Sequence, residues 1–311
     1  MQVLRHIPSH QQSPCALAIG NFDGMHLGHQ ALLNKLVATA KVMQVTSAVM
    51  TFEPHPREFF TPESAPARLC SMREKLEHLA EADVEVAYVI RFDRRFAKVT
   101  AEAFMNDILR DTLNTQAILV GEDFRFGAKR AGTTADFVEA GFNLVSLPQV
   151  DMLNCENLPE RVSSTRVRAA LAAGRLIEAH SLLGRAYSIS GKVIHGAKRG
   201  RQLGFPTANI HMRHERPALT GVYAVKLDGL PSVANLGVRP TIAGVPKLSL
   251  EVHILDFDGD LYDRHVHVEF LHKIRDEIKF DGLEALKAQI AQDVLVARAF
   301  FKQNAVPQPH I

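Results

Sequence analysis

The chain has 311 residues, 46% of them hydrophobic and 23% charged, with a formal net charge of +2. That length suits two domains with separate cores, and the near-neutral balance excludes a broad basic field for nucleic acid while allowing small anions to be held locally. Cys15, Cys70 and Cys155 stand far apart with no Cys-x-x-Cys pair, no run approaches eighteen apolar residues and the start lacks a signal-peptide stretch, so a reducing, cytoplasmic setting without a membrane partner is expected.

The apolar run Cys15 to Ile19 reads as a strand. It leads into Gly20-Asn-Phe-Asp-Gly-Met-His-Leu-Gly-His29, and then Leu32, Leu33, Leu36 and Val37 recur at helical spacing, so a Gly-rich loop separates a strand from a helix N-terminus. A first helical turn carries unpaired N–H groups and partial positive charge, and Gly20, Gly24 and Gly28 let backbone close on a phosphate. Phe22 lies in the same loop and is counted with this ATP site. His26 and His29, three apart, share a face and can both donate to phosphate oxygens. The spacing is neither the dinucleotide fingerprint nor a P-loop.

Further apolar runs at Val45 to Phe52, Val84 to Ile90, Ala117 to Val120 and Asn143 to Leu147 alternate with helical patterns, the order of a Rossmann-like parallel sheet. One helix follows Leu69, with Ser71 and Glu74 as a capping box, and another follows Thr100, with Phe104 and Ile108 on one face; both read as structural. Between the first two helices, Thr51-Phe-Glu-Pro-His-Pro56 is a stiff segment leaving a strand end. There His55 either lines the flavin or nucleotide pocket or belongs to a plain connector, with equal weight. In Gly121-Glu-Asp-Phe-Arg-Phe-Gly127, Asp123 suits a ribose or flavin-side group, whereas Phe124 and Phe126 suit packing. Residues 128–159 look irregular, leaving the last crossover without a clear helix.

Val162-Ser-Ser-Thr-Arg-Val-Arg168 places hydroxyls at a helix start and arginine in its first turns, a second anion site from Ser163, Ser164, Thr165 and Arg168, with Gly174 as helix stop. Another helix ends at Gly184, after which the period turns from helical to alternating. The expected domains are therefore residues 1–184 and 185–311.

In the second half, short runs at Tyr187 to Ile194, Val222 to Leu227, Ser232 to Leu236, Leu248 to Leu255 and Val266 to Leu271, with turn signals at Asp228-Gly229 and Asp258-Gly259, predict a small antiparallel barrel. A closing helix starts near Asp281 and Glu284 and carries the stripe Leu283, Leu286, Ile290, Val294, Ala297 and Phe301; Asn304 to Ile311 reads as a frayed tail. The segment from His195 combines Lys198, Arg199, Arg201 and Gly204 in a flexible basic loop suited to ATP phosphates. Beyond it, Thr207 and Asn209 present two hard oxygens on one side of an extended segment, a donor set for Mg²⁺. Glu251 lies opposite the apolar face of Leu248, Leu250, Val252 and Ile254, where a carboxylate can take a proton from a reacting hydroxyl. Glu269 sits similarly, and the pattern alone does not separate the two.

Met25-His26-Leu27-Gly28-His29 resembles the His-x-Gly-His signature of nucleotidylyltransferases. The wider set, with Gly121 to Gly127, Ser163 to Arg168, Pro206-Thr-Ala-Asn209, Gly221-Val-Tyr-Ala224, Asn235 to Thr241 and Ile274 to Phe280, resembles the bacterial bifunctional riboflavin kinase and FAD synthetase family over nearly the whole chain. The resemblance implies a kinase barrel that makes FMN from riboflavin and Mg²⁺-ATP with Glu251 as catalytic base. It also implies an N-terminal module that joins FMN to a second ATP to give FAD and pyrophosphate, with His26, His29 and Arg168 acting on the phosphates. One departure is Asp263, where the family usually has glycine; Asp tolerates a left-handed turn, so a small stability cost and intact chemistry are expected. Two other readings stay open at this point: adenylylation of a different phosphate ester with the barrel only docking it, and a flavin-binding or regulatory module without turnover. A weak homo-oligomer also stays open.

Overall fold

The structure, a computed structural model, describes residues 1–153, 158–196, 204–212, 216–239 and 247–304. Cys155, Lys198, Arg199, Arg201, Thr241 and the tail beyond Asn304 lie outside the described residues. The chain forms two compact units, Met1–Pro66 with Met72–Ser164, and Ala67–Ser71 with Thr165–Ile311.

The first unit is built on six parallel strands, β1 (Gln2–Leu4), β2 (Cys15–Ile19), β3 (Thr46–Glu53), β4 (Val86–Arg91), β5 (Thr115–Gly121) and β6 (Asn143–Leu147), in the order β1-β4-β3-β2-β5-β6. The chain runs outward from β2 through β3 to β4, then returns to place β5 on the other side of β2. That reversal opens a crevice beyond the carboxyl end of β2, where ligands of such sheets bind. Alternation along β2 serves two cores: Cys15, Leu17 and Ile19 join one cluster, while Ala16 and Ala18 face the other, which contains Leu32, Leu33 and Leu36. Those leucines belong to α1 (Leu27–Met43), and the small alanines opposite them let the helix approach the sheet.

Further along, the stiff segment leaving β3 turns into the short helix α2 (Pro56–Phe60), and α3 (Met72–Glu81) starts right after Ser71 as its capping pattern predicts. A single turn, α4 (Ala101–Ala103), capped by the Thr100 hydroxyl, passes into a π-helical stretch over Phe104–Thr112 that buries Phe104, Ile108 and Leu109. The region read as irregular holds α5 (Thr134–Glu139), whose Thr133 and Asp136 form a capping box, and a hairpin of β7 (Asp151–Leu153) with β8 (Pro159–Arg161). Six helical residues span too few turns to show a period, so the crossover was invisible to pattern reading. The edge strand β1 was missed for the same reason.

In the second unit α6 (Ser164–Ala172, apart from its first residue) and α7 (Leu176–Leu183) precede a closed barrel; both helices end at left-handed glycines, Gly174 and Gly184. The expected junction after Gly184 thus falls behind two helices that group with the barrel. The barrel strands are β9 (Tyr187–Ile194), β10 (Ala208–His211), β11 (Gly221–Leu227), β12 (Leu230–Arg239), β13 (Lys247–Ile254) and β14 (His265–Arg275), paired antiparallel in the order β10-β13-β12-β11-β14-β9. Asp228 and Gly229, both at positive φ, make the two-residue turn between β11 and β12. Asp263 also adopts positive φ (64°), and its carboxylate meets Lys192 at 2.8 Å, so the residue that replaces glycine fits the turn and adds an ion pair.

The closing helix α8 (Leu283–Gln303) packs Ala297, with Val294, Phe300 and Phe301, on Val222, Ala224 and Val233 on the outside of the barrel. Leu283, expected in its apolar stripe, is exposed because it occupies the first turn. The helix is fastened instead by Asp293, 2% exposed, which accepts Arg275 Nε at 2.9 Å and Nη2 at 2.7 Å.

Candidate active sites

The loop from Gly20 to His26 stands at the carboxyl end of β2. Phe22, Gly24 and Met25 all have positive φ (48°, 82° and 46°), and Phe22 and Met25 are buried. Two bulky residues held in a left-handed conformation cost about 1–3 kcal/mol each, a strain that marks functional loops. The ring of Phe22 covers Gly20, where a Cβ would sit 3.1 Å from it.

His26 is the N-cap of α1 rather than a residue on its face. It has extended φ/ψ, and its Nδ1 accepts the His29 backbone N–H at 3.3 Å. Nδ1 as acceptor puts the proton of a neutral His26 on Nε2, which then serves as a donor. Gly28 makes room for that ring, since a Cβ there would meet its Cε1 and Nδ1 at 3.2 Å. The two imidazoles stack with centroids 3.7 Å apart and planes 17° from parallel, and Phe22 closes on His29 at 5.3 Å. His29 keeps some surface in solvent while its Nδ1 is buried without a partner. Burial, then the positive surroundings of His26, Lys75 and Arg161, push its pKa well below the usual imidazole value. His29 is therefore held in its neutral form at the mouth of α1.

Ser164 joins this loop by donating to the Asp23 carbonyl at 2.9 Å. Thr165 is exposed, and Arg168 lies in the second unit with its Nε on the Ala67 carbonyl at 2.5 Å. His55 caps α2: its Nδ1 accepts Arg57 N–H at 3.1 Å while Glu58 accepts the His55 N–H. Asp123 is gripped by both guanidinium nitrogens of Arg161, at 2.7 and 3.1 Å, which holds its carboxyl below the usual range. Phe126 stacks on Phe137 at 4.2 Å and is buried, a packing residue as expected, with Phe124 stacked beside both.

Sequence reading missed a cluster beyond the ends of β3 and β4. Phe59, Phe60 and Phe92 meet edge to face at 5.2–5.6 Å, Phe52 and Phe96 back them, and Phe60 is 61% exposed. The Phe-Phe doublet beside two prolines was its only local signal.

In the barrel, the alternation of β13 turns Leu250, Val252 and Ile254 inward and Glu251 outward. Register places Glu251 directly between Asn209 on β10 and Asn235 on β12, and Ser249 Oγ donates to its Oε1 at 3.4 Å. The Asn209 amide lies over Gly196 so closely that a Cβ there would overlap it. Thr207 is half-buried two residues before Asn209, and the Pro206 carbonyl accepts from His253 Nδ1 at 2.8 Å. Gly204 is exposed at φ 87° with open space around it. Glu269, by contrast, is exposed and sits across from Lys226 and Ser188, a cation and a hydroxyl in place of the two amides that flank Glu251.

A family model described as FAD synthetase matches residues 8–166, and one described as riboflavin kinase matches residues 183–301. The bifunctional riboflavin kinase/FMN adenylyltransferase of Escherichia coli K12 is 47% identical over 97% of this chain and 98% of its own length. The protein of the same name from Pseudomonas fluorescens is 46% identical over the full length of both. This chain belongs to the bifunctional riboflavin kinase/FMN adenylyltransferase family. A solved structure of a protein named macrolide-efflux protein, from Streptococcus pneumoniae, superposes with a TM-score of 0.79 at 29% identity, covering 95% of this chain and 98% of that one. Among the described residues no helix is long and apolar enough to cross a membrane. Within the family frame, the FAD synthetase match holds the stacked histidines and the riboflavin kinase match holds the Asn209, Glu251 and Asn235 row.

Proposed function

We infer that the chain makes FAD from riboflavin in two ATP-dependent transfers, one in each unit. The observation that carries this is the presence of two separate phosphate-handling constellations, the His26 and His29 stack and the Glu251 row, each inside its own family match.

In the barrel, the riboflavin 5′-hydroxyl attacks the γ-phosphorus of ATP, the bond from that phosphorus to the β-bridging oxygen breaks, and ADP leaves. The hydroxyl is too weak an acid to ionise unaided, so the outward carboxylate of Glu251 takes its proton as the new bond forms. Asn209 and Asn235 flank it across the ladder, and Ser249 Oγ donates to it. Thr207 and Asn209 fit a magnesium ion, because a hydroxyl and an amide oxygen are hard donors and the Gly196 backbone leaves the space that seats the amide. When bound, such an ion offsets the charge of the ATP phosphates.

In the first unit, an oxygen of the FMN phosphate attacks the α-phosphorus of a second ATP, and pyrophosphate departs with the electrons of the broken bond. A phosphate monoester is largely dianionic at neutral pH, so no base is required and the work is positioning and charge stabilisation. His26 Nε2 and the His29 ring donate at the mouth of α1. Arg161, already felt electrostatically by His29, adds fixed positive charge. The phenylalanine cluster offers a stacking face for the isoalloxazine at the strand ends where the ligand enters. The role of Arg168 rests on the family resemblance.

Incubation with riboflavin and Mg²⁺-ATP tests this directly: FMN should appear first, then FAD, with ADP and pyrophosphate released in equal amounts per FAD. FAD formation without FMN, or FMN alone, contradicts it. The cytoplasm, where both substrates occur, is the proposed setting.

A further inference from the structure

Lys75 stands in the first turn of α3 with only 6% of its surface exposed. Its ammonium makes one hydrogen bond, to Thr51 Oγ1 at 3.3 Å, and among the described residues no carboxylate pairs with it. A buried cation satisfied by a single neutral hydroxyl is expensive, and proteins keep such a group where an anion completes it. The surroundings indicate which anion. Thr51, fully buried, donates in turn to the Asn21 carbonyl at 3.3 Å, within the strained Gly-rich loop. His29 Nδ1, in the first turn of α1, is buried without a partner. Lys75 and the loop polar groups thus converge on one place, and Lys75 is close enough to disfavour a proton on His29.

We propose that Lys75 is a phosphate-binding residue of the adenylyl-transfer site, its buried ammonium holding the polyphosphate of ATP and then the pyrophosphate that leaves. The proposal rests on the adenylyl-transfer reading of the first unit and adds a charge from a helix whose sequence pattern reads as structural. Lys75 is an ammonium and acts as a compact point charge, so it serves a group whose negative charge rises as the bond to the α-phosphorus breaks. Thr51 holds it toward the loop, away from bulk water.

The test uses the full-length chain, Lys75→Met and Lys75→Arg, with inorganic pyrophosphate as the probe. Thermal melting of the wild type should rise with pyrophosphate, as binding to the folded state alone requires. Lys75→Met should melt no lower than wild type, since an uncompensated buried charge is gone. It should lose the pyrophosphate-induced rise, and its kcat/KM for FAD formation from FMN should drop about 10²–10³-fold, the scale for one transition-state donor. Its conversion of riboflavin to FMN should be unchanged, and Lys75→Arg should recover part of the pyrophosphate response. A folded Lys75→Met or Lys75→Arg protein that keeps the full pyrophosphate-induced rise overturns the proposal and makes Lys75 a packing residue. A wild type that makes no FAD but whose pyrophosphate response depends on Lys75 supports the anion site while removing the adenylyl-transfer reading.

Discussion

His26 and His29 are bound to each other twice: their rings stack 3.7 Å apart, and His26 Nδ1 accepts the backbone N–H of His29. One side chain therefore both caps α1 and presents Nε2. The two roles come apart in substitutions. His26→Ala should lose about 1 kcal/mol of stability with the cap and most FAD formation. His26→Asn restores a capping oxygen without the ring donor, so denaturant unfolding should show stability regained while FAD formation stays down about 10²–10³-fold. Recovery of activity in the asparagine variant would make His26 a cap only.

His29 predicts a pH dependence with a definite sign. Its pKa in the folded chain lies well below the 6.5 of a free imidazole. Below pH 6.5 the unfolded chain takes up a proton that the folded chain refuses. The His29 contribution is therefore fully present above pH 6.5 and is lost as pH falls toward the folded-state pKa, by up to about 1.4 kcal/mol per pH unit. Melting temperatures from pH 7.5 down to 5 should fall less steeply for His29→Phe than for wild type. Parallel curves would show that His29 is readily protonated in place.

Glu251 and Glu269 share a sequence pattern and separate only in the barrel register. Glu251 stands between Asn209 and Asn235, while Glu269 is exposed opposite Lys226 and Ser188. Glu251→Gln should lower FMN formation about 10²–10⁴-fold, the range for a general base, whereas Glu269→Gln should leave it unchanged. Equal losses would remove the assignment.

These contrasts show what was legible in the chain and what was not. The strand β2, the Gly-rich loop, the first helix, the hairpin at Asp228-Gly229 and most barrel strands could be read because period and turn chemistry are local. The closing of six strands into a barrel, and the row that joins Asn209 to Glu251, depend on register between distant segments, which no local period records. The capping role of His26 was hidden because histidine is not among the common N-cap residues. Lys75, Arg161 and the phenylalanine cluster were missed because their meaning comes from burial and neighbours supplied by other strands.

Asp293 and Arg275 illustrate the same limit and carry a stability prediction. Asp293 lies on a helix that reads as amphipathic and Arg275 in a segment noted only for its family resemblance, yet the carboxylate is 2% exposed and held at 2.7 and 2.9 Å. Asp293→Ala leaves a partly buried guanidinium unpaired and should cost about 3–5 kcal/mol, measured by denaturant unfolding. The double variant Arg275→Met with Asp293→Leu should recover much of that loss. If the double variant is as unstable as the single, the pair holds α8 by geometry that apolar contact does not replace.

The most direct measurement follows flavin products for Glu251→Gln and His26→Asn, alone and mixed, with riboflavin and Mg²⁺-ATP supplied. Glu251→Gln should make no FMN yet turn added FMN into FAD, His26→Asn should accumulate FMN, and the mixture should carry riboflavin through to FAD. Loss of both conversions in either folded variant, or no FAD from the mixture, would contradict two independent transfer sites.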